Sequence, residues 1–175
     1  DGFVPTAAGQ KVLTNGATDV NGAAADVTIN FNWANTFELG NSFSAGEEDF
    51  QATMAHEIMH SIGFTANLNS DGTSAYGGTS KTWSTFDKFI TNGLGAPVIN
   101  QSTFVTDLSV WNPIKTAGTD KVYFGGPQTK AVTGGAGLPL YAPGTFDISS
   151  SITHSDDDDA VVDFKTHLMV SAGVS

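Results

Sequence analysis

His56-Glu57-Ile58-Met59-His60, continuing Ser61-Ile62-Gly63-Phe64, is the stretch on which the reading of this chain turns. The two histidines stand four residues apart. On a helix that spacing brings both imidazoles to one face, where they can share a single metal ion. Glu57 sits beside them, placed to work on a metal-bound water, and the arrangement is the H-E-x-x-H zinc pattern. The residues around it predict the helix. Ser44-Ala45-Gly46-Glu47 reads as a capping box. Glu47, Glu48 and Asp49 then fall in the first turn, where the helix dipole favours negative charge. The helix runs to about Ile62, with Phe50, Ala55, Ile58, Met59 and Ile62 available to face a core, and Gly63 ends it.

A catalytic zinc needs a third protein ligand and an open position for water. The chain has four histidines, so His154 and His167 are the remaining imidazoles, and carboxylates such as Asp87 also qualify. There is no cysteine, which excludes thiolate zinc sites and disulfides. The net charge of -11 argues against nucleic acid as a partner, because phosphates would be repelled. No apolar run is long enough to span a membrane, and no signal peptide is visible.

The 175 residues fit one domain, Gly-rich and therefore loop-rich, with residues 1–63 supplying a sheet and the metal helix and residues 64–175 a C-terminal subdomain. Lys11–Thr14 is a short strand candidate. Asp26–Trp33 alternates apolar and polar residues as a half-buried strand does. Asn67–Lys81 reads as a polar surface loop. Its start, Asn67-Leu68-Asn69-Ser70-Asp71-Gly72, imitates half an EF-hand but lacks the closing glutamate, so it reads as a turn. Trp83, Phe86, Phe89 and Ile90 recur at helical spacing and predict a helix over Thr82–Thr91. Val122–Phe124 is the clearest strand of the second half. Asp156–Asp159 is either a solvated acidic loop or a calcium site, since hard cations need clustered oxygens.

The run His56–Phe64 resembles the zinc helix of leishmanolysin-like members of the metzincin clan, a group that includes bacterial secreted proteases. The compact metzincin pattern would place a third histidine at position 66, which is Ala66 here. In the leishmanolysin-like group a long insertion precedes that histidine, which follows a small polar run and is followed by a Leu-Met pair. Here Ser149-Ser150-Ser151-Ile152-Thr153-His154 and Leu168-Met169 match that pattern. Trp83–Ile90 and Gly134–Pro143 also fit, so the resemblance covers roughly residues 26–171.

The resemblance implies an α+β metzincin-like domain: a twisted sheet on the zinc helix, then an irregular second half. It implies His56, His60 and His154 as ligands of Zn²⁺, Glu57 as the general base, and Met169 as a Met-turn residue beneath the metal, not a ligand. It implies a secreted zinc metalloendopeptidase acting on protein or peptide substrates. The tyrosine that follows the methionine by two residues in some metzincins is Ser171 here, so no tyrosine switch is expected. Asn30–Trp33 or Phe37–Leu39 is expected to form the cleft edge that pairs with substrate. Only 55 residues precede His56 and six follow Met169, less than the resemblance implies, so the chain reads as a fragment, a nicked product or an incompletely determined sequence. Two rival readings stand beside it. One is a gluzincin- or aspzincin-like peptidase with a carboxylate such as Asp87 as third ligand. The other is a non-catalytic, zinc-stabilised binding module, which would have no need of Glu57.

Overall fold

A computed structural model describes residues 1–40, 47–77, 79–116 and 121–156. The chain is a small mixed fold of short helices and strands. In order these are β1 (Gly2–Val4), α1 (Ala7–Leu13), β2 (Phe37–Glu38), β3 (Glu48–Asp49), α2 (Phe50–Ile62) and β4 (Thr82–Ser84). A 3-10 turn (Asp87–Phe89), β5 (Ile90–Asn92), α3 (Leu108–Trp111), β6 (Val122–Phe124), α4 (Pro127–Val132) and β7 (Leu138–Pro139) follow. An α+β architecture fits this. The twisted sheet expected over the metal helix is not found among the described residues. Instead β1 pairs with β4 and β2 with β3, both parallel, while β5, β6 and β7 form an antiparallel sheet.

The core lies in the second half. Leu68, Trp83, Phe86, Ile90, Val98, Ile99, Trp111, Val122, Leu140 and Ile152 are buried together. The two large indoles keep their N–H groups satisfied, Trp83 on the Phe104 carbonyl and Trp111 on that of Asn69. By contrast α2 buries no residue fully. Ile58 and Ile62, expected to face a core, are 44% and 37% exposed. The helix that packs on α2 is α1. The Thr6 hydroxyl donates to the Ser61 carbonyl (2.7 Å), and Gly9 lets the two backbones approach.

Several local expectations are corrected. Lys11–Thr14 is helical up to Leu13: Thr6 accepts the Gly9 N–H as an N-cap, and Ala7, Ala8, Gln10 and Lys11 favour helix over a four-residue alternation. Asp26–Trp33 has the alternation but pairs with no strand among the described residues, and it runs as irregular chain. Its Phe31 and Trp33 pack on Phe37 of β2 and on Phe50 of α2. Ser44 of the expected capping box lies outside the described residues. Asp49 caps α2 instead, accepting from Gln51 N–H and Ala52 N–H at 2.8 and 3.0 Å, so Glu47 and Glu48 precede the helix. Thr82–Thr91 is not a helix. The Asp87 carboxylate draws the Ser84 N–H and hydroxyl onto itself and makes a tight turn between β4 and β5. Trp83, Phe86 and Ile90 are nonetheless buried. The stretch after Asn67 is a polar turn, with Asp71 accepting from the Thr73 N–H and Gly72 at a φ of 85°. Val122–Phe124 is a strand as expected, and Gly63, at a φ of 124°, ends α2. Among the described residues no helix is long and apolar enough to cross a membrane.

Candidate metal centre

Three histidines come together. His56 Nε2 lies 3.1 Å from His60 Nε2 and 3.3 Å from His154 Nε2. All three ligand atoms fall within 4.8 Å of one another, so the group could hold a metal ion. Nitrogens held tetrahedrally at about 2.0–2.1 Å from one zinc stand roughly 3.3–3.4 Å apart. The two observed spacings are compatible with imidazole nitrogens that share one metal ion.

Hydrogen bonds fix which nitrogen faces inward. His60 Nδ1 is 2.7 Å from the Phe64 carbonyl oxygen, and His154 Nδ1 is 2.9 Å from that of Ser150. A carbonyl only accepts, so each Nδ1 carries the proton and each Nε2 presents a lone pair. These carbonyls orient the rings as outer partners of metal-bound histidines do. Burial lowers the pKa of both His60 and His154, favouring the neutral form that binds metal.

The elements explain the convergence. The helical turn of α2 supplies His56 and His60. The Phe64 carbonyl is available because the chain leaves the helix at Gly63 and folds back, the Phe64 N–H bonding to Met59 O. His154 arrives on a segment laid along the end of β7. The Tyr141 N–H donates to His154 O, the Ile152 N–H to Tyr141 O, and the Asp156 N–H to Pro139 O. Ile152 takes a φ of 58°, a region that a β-branched side chain tolerates poorly. The cost, about 1–3 kcal/mol, is offset by full burial of its side chain.

Glu57 borders a cleft of about 380 Å³ with His60, Ser61 and the segment Val27–Asn30. Glu57 therefore shares this cleft with His60, one of the three clustered histidines. Asp87, the carboxylate considered as a third ligand, is not part of the cluster. It is wholly buried and accepts from Asn67 N–H, Ser84 N–H and Ser84 Oγ–H. Ser84 Oγ also lies 2.9 Å from the Thr65 carbonyl. Asp87 and Ser84 thus hold the chain that leaves α2, one residue past the carbonyl that orients His60. The sequence reading missed this role, and the Trp83–Ile90 spacing that carries it suggested a helix instead. His167, Met169 and Asp157–Asp159 lie outside the described residues. Asp156 is buried, two residues beyond His154.

Compared with protein-family models, curated proteins and solved structures, the chain matches none.

Proposed function

We propose that this chain is a zinc-dependent endopeptidase of the metzincin kind, with His56, His60 and His154 as metal ligands and Glu57 as general base. The observation that carries the reading is the convergence of three imidazole Nε2 atoms, two with their tautomer set by a carbonyl, beside a glutamate that lines an open cleft. An all-imidazole donor set suits zinc. A structural site would have no use for Glu57 at the cleft.

Zinc held there would polarise the substrate carbonyl and acidify water. The residues of the chain do the rest. The Phe64 and Ser150 carbonyls keep His60 and His154 in the ligating tautomer. Glu57 takes the proton from the attacking water and delivers it to the amine that leaves as the peptide C–N bond breaks. No side-chain nucleophile is required. Secretion belongs to the same reading, through the resemblance of His56–Phe64 and Ser149–His154 to secreted proteases.

The test is Glu57→Gln. The variant should keep one zinc per chain and lose at least ~100-fold in the rate of casein cleavage. Equal, slow cleavage by wild type and variant would favour the binding-module reading. Loss of zinc from Asp87→Ala but not from His154→Ala would favour the carboxylate-ligand rival.

A further inference from the structure

One buried hydroxyl has two acceptors and a single hydrogen to give them. Ser84 Oγ lies 2.8 Å from Asp87 Oδ2 and 2.9 Å from the Thr65 carbonyl oxygen. A serine hydroxyl carries one hydrogen and two lone pairs. The Asp87 N–H donates to Ser84 Oγ at 3.1 Å and occupies one of those lone pairs. While Asp87 is ionised, its carboxylate and the Thr65 carbonyl compete for the Ser84 hydrogen. The carboxylate wins, because a bond to a charged acceptor is roughly twice as strong as one to a neutral acceptor. Among the described residues no other donor is bonded to Thr65 O.

A proton on Asp87 removes the conflict, and the surroundings select the oxygen that takes it. Oδ1 receives the Asn67 N–H at 3.0 Å, and that donor has no lone pair to offer. Oδ2 faces Ser84 Oγ, whose second lone pair can accept. Protonated there, Asp87 donates to Ser84 Oγ, and Ser84 donates to Thr65 O. The bonds from Asn67 N–H and Ser84 N–H persist, since a carboxylic acid keeps acceptor capacity. Burial favours this neutral form, and Ser84 and Asp87 are both buried. No charge acts against it. The influences on the Asp87 carboxyl are burial and the bonds from Ser84 and Asn67. The strands on either side, β4 and β5, and the segment 65–67 carry no titratable side chain, and Lys88 Nζ lies over the Phe89 ring.

We propose that Asp87, Ser84 and Thr65 form a pH-sensitive switch: protonated Asp87 donates to Ser84, which fastens the Thr65 carbonyl, and loss of that proton to solvent turns the Ser84 hydroxyl onto the carboxylate and releases the carbonyl. Thr65 follows Phe64, whose carbonyl sets the His60 ring. The segment that orients His60 is thus tied to β4 in acid and loosened as Asp87 ionises. The switch needs neither metal nor substrate, so it stands apart from the peptidase reading.

The experiment is a carbon-13 NMR titration from about pH 4 to 8 that follows the Asp87 side-chain carboxyl and the Thr65 backbone carbonyl in one sample. The Asp87 signal should report a midpoint at about 6. The Thr65 signal should move upfield as pH rises, with that same midpoint, because its carbonyl loses a hydrogen bond. In Ser84→Ala the Asp87 signal should still titrate, and the part of the Thr65 response that follows it should disappear. Any response to histidine protonation persists in Ser84→Ala and is subtracted. Three results overturn the switch: a Thr65 signal that stays flat while Asp87 titrates, an Asp87 midpoint at or below its ordinary value of 3.8, or an undiminished Thr65 response in Ser84→Ala. Should Ser84→Ala fail to fold, the two wild-type midpoints decide alone: coincidence upholds the switch and divergence sinks it.

Discussion

His154 Nε2 stands 3.3 Å from His56 Nε2 across 98 residues of sequence. This contact ties α2 to the half of the chain that owns the core, and α2 contributes no fully buried side chain of its own. An ion shared by the two histidines would therefore act as a staple closing a long loop. Zinc at a hundredfold excess over its Kd stabilises by about 2.7 kcal/mol, which in a chain of this size raises Tm by roughly 5–10 °C. Calorimetry with zinc and then with EDTA should show that rise and its reversal. His154→Ala should lose the increment. A wild-type Tm indifferent to zinc would mean that the cluster takes no metal.

Gly9 should behave opposite to an ordinary helix glycine. In an open helix, Gly→Ala stabilises by roughly 0.4–1 kcal/mol. Here a Cβ on Gly9 would come within 2.6 Å of the Ile62 carbonyl oxygen and 2.8 Å of Thr6 Oγ1. That hydroxyl is the N-cap of α1 and also donates to Ser61 O. Gly9→Ala must push α1 off the end of α2, at a cost of about 1–3 kcal/mol. Urea midpoints decide the sign, and a stabilised Gly9→Ala would show that the two helices are not in close contact.

The helix α2 was legible because its signals are local. Four-residue histidine spacing and a glycine stop act within a few turns of chain, whereas the acidic residues expected in the first turn lie before it, with Asp49 as the N-cap. His154 could be anticipated only through resemblance, since its approach depends on the β7 register and the unusual φ of Ile152, neither of which has a sequence period. The strand expected over Asp26–Trp33 failed for the converse reason. Alternation reports which residues could share a face, but a strand also needs a partner, and here Phe50 supplies an aromatic one instead. Asp87 misled the reading of Thr82–Thr91 because one buried carboxylate, bonded to Ser84 and Asn67, outweighs helical spacing of the aromatics around it.

Burial gives the two inward histidines a pH signature. Desolvation holds His60 and His154 below the usual 6.5, partly countered by the Phe64 and Ser150 carbonyls. The unfolded chain then binds more protons than the folded one as pH falls below 6.5, so the metal-free protein should lose stability on acidification through that window. Imidazole NMR titration of the metal-free protein should find both rings protonating below 6.5. Values at about 6.5 would indicate that the rings are solvated and the Nε2 atoms do not converge.

Asp87 should impose the opposite slope. Its carboxyl is pushed up to about 6 from 3.8 because burial penalises the charge more than the bonds from Ser84 and Asn67 favour it. Between those two values the folded chain holds a proton that the unfolded chain has released. The contribution of Asp87 therefore falls as pH rises from about 4 to 6, by an amount on the order of 3 kcal/mol. Asp87→Asn keeps the shape but turns an NH₂ group toward N–H donors, which costs about 1–3 kcal/mol. It carries no charge to titrate. The stability gap between wild type and Asp87→Asn should therefore narrow as pH rises from 4 to 7, because the wild type takes on a buried charge that the variant never acquires. Guanidinium unfolding of both proteins across that range measures the gap. A gap that widens with pH would mean that the bonds from Ser84 and Asn67 outweigh desolvation, and that Asp87 serves this turn as a fully ionised acceptor.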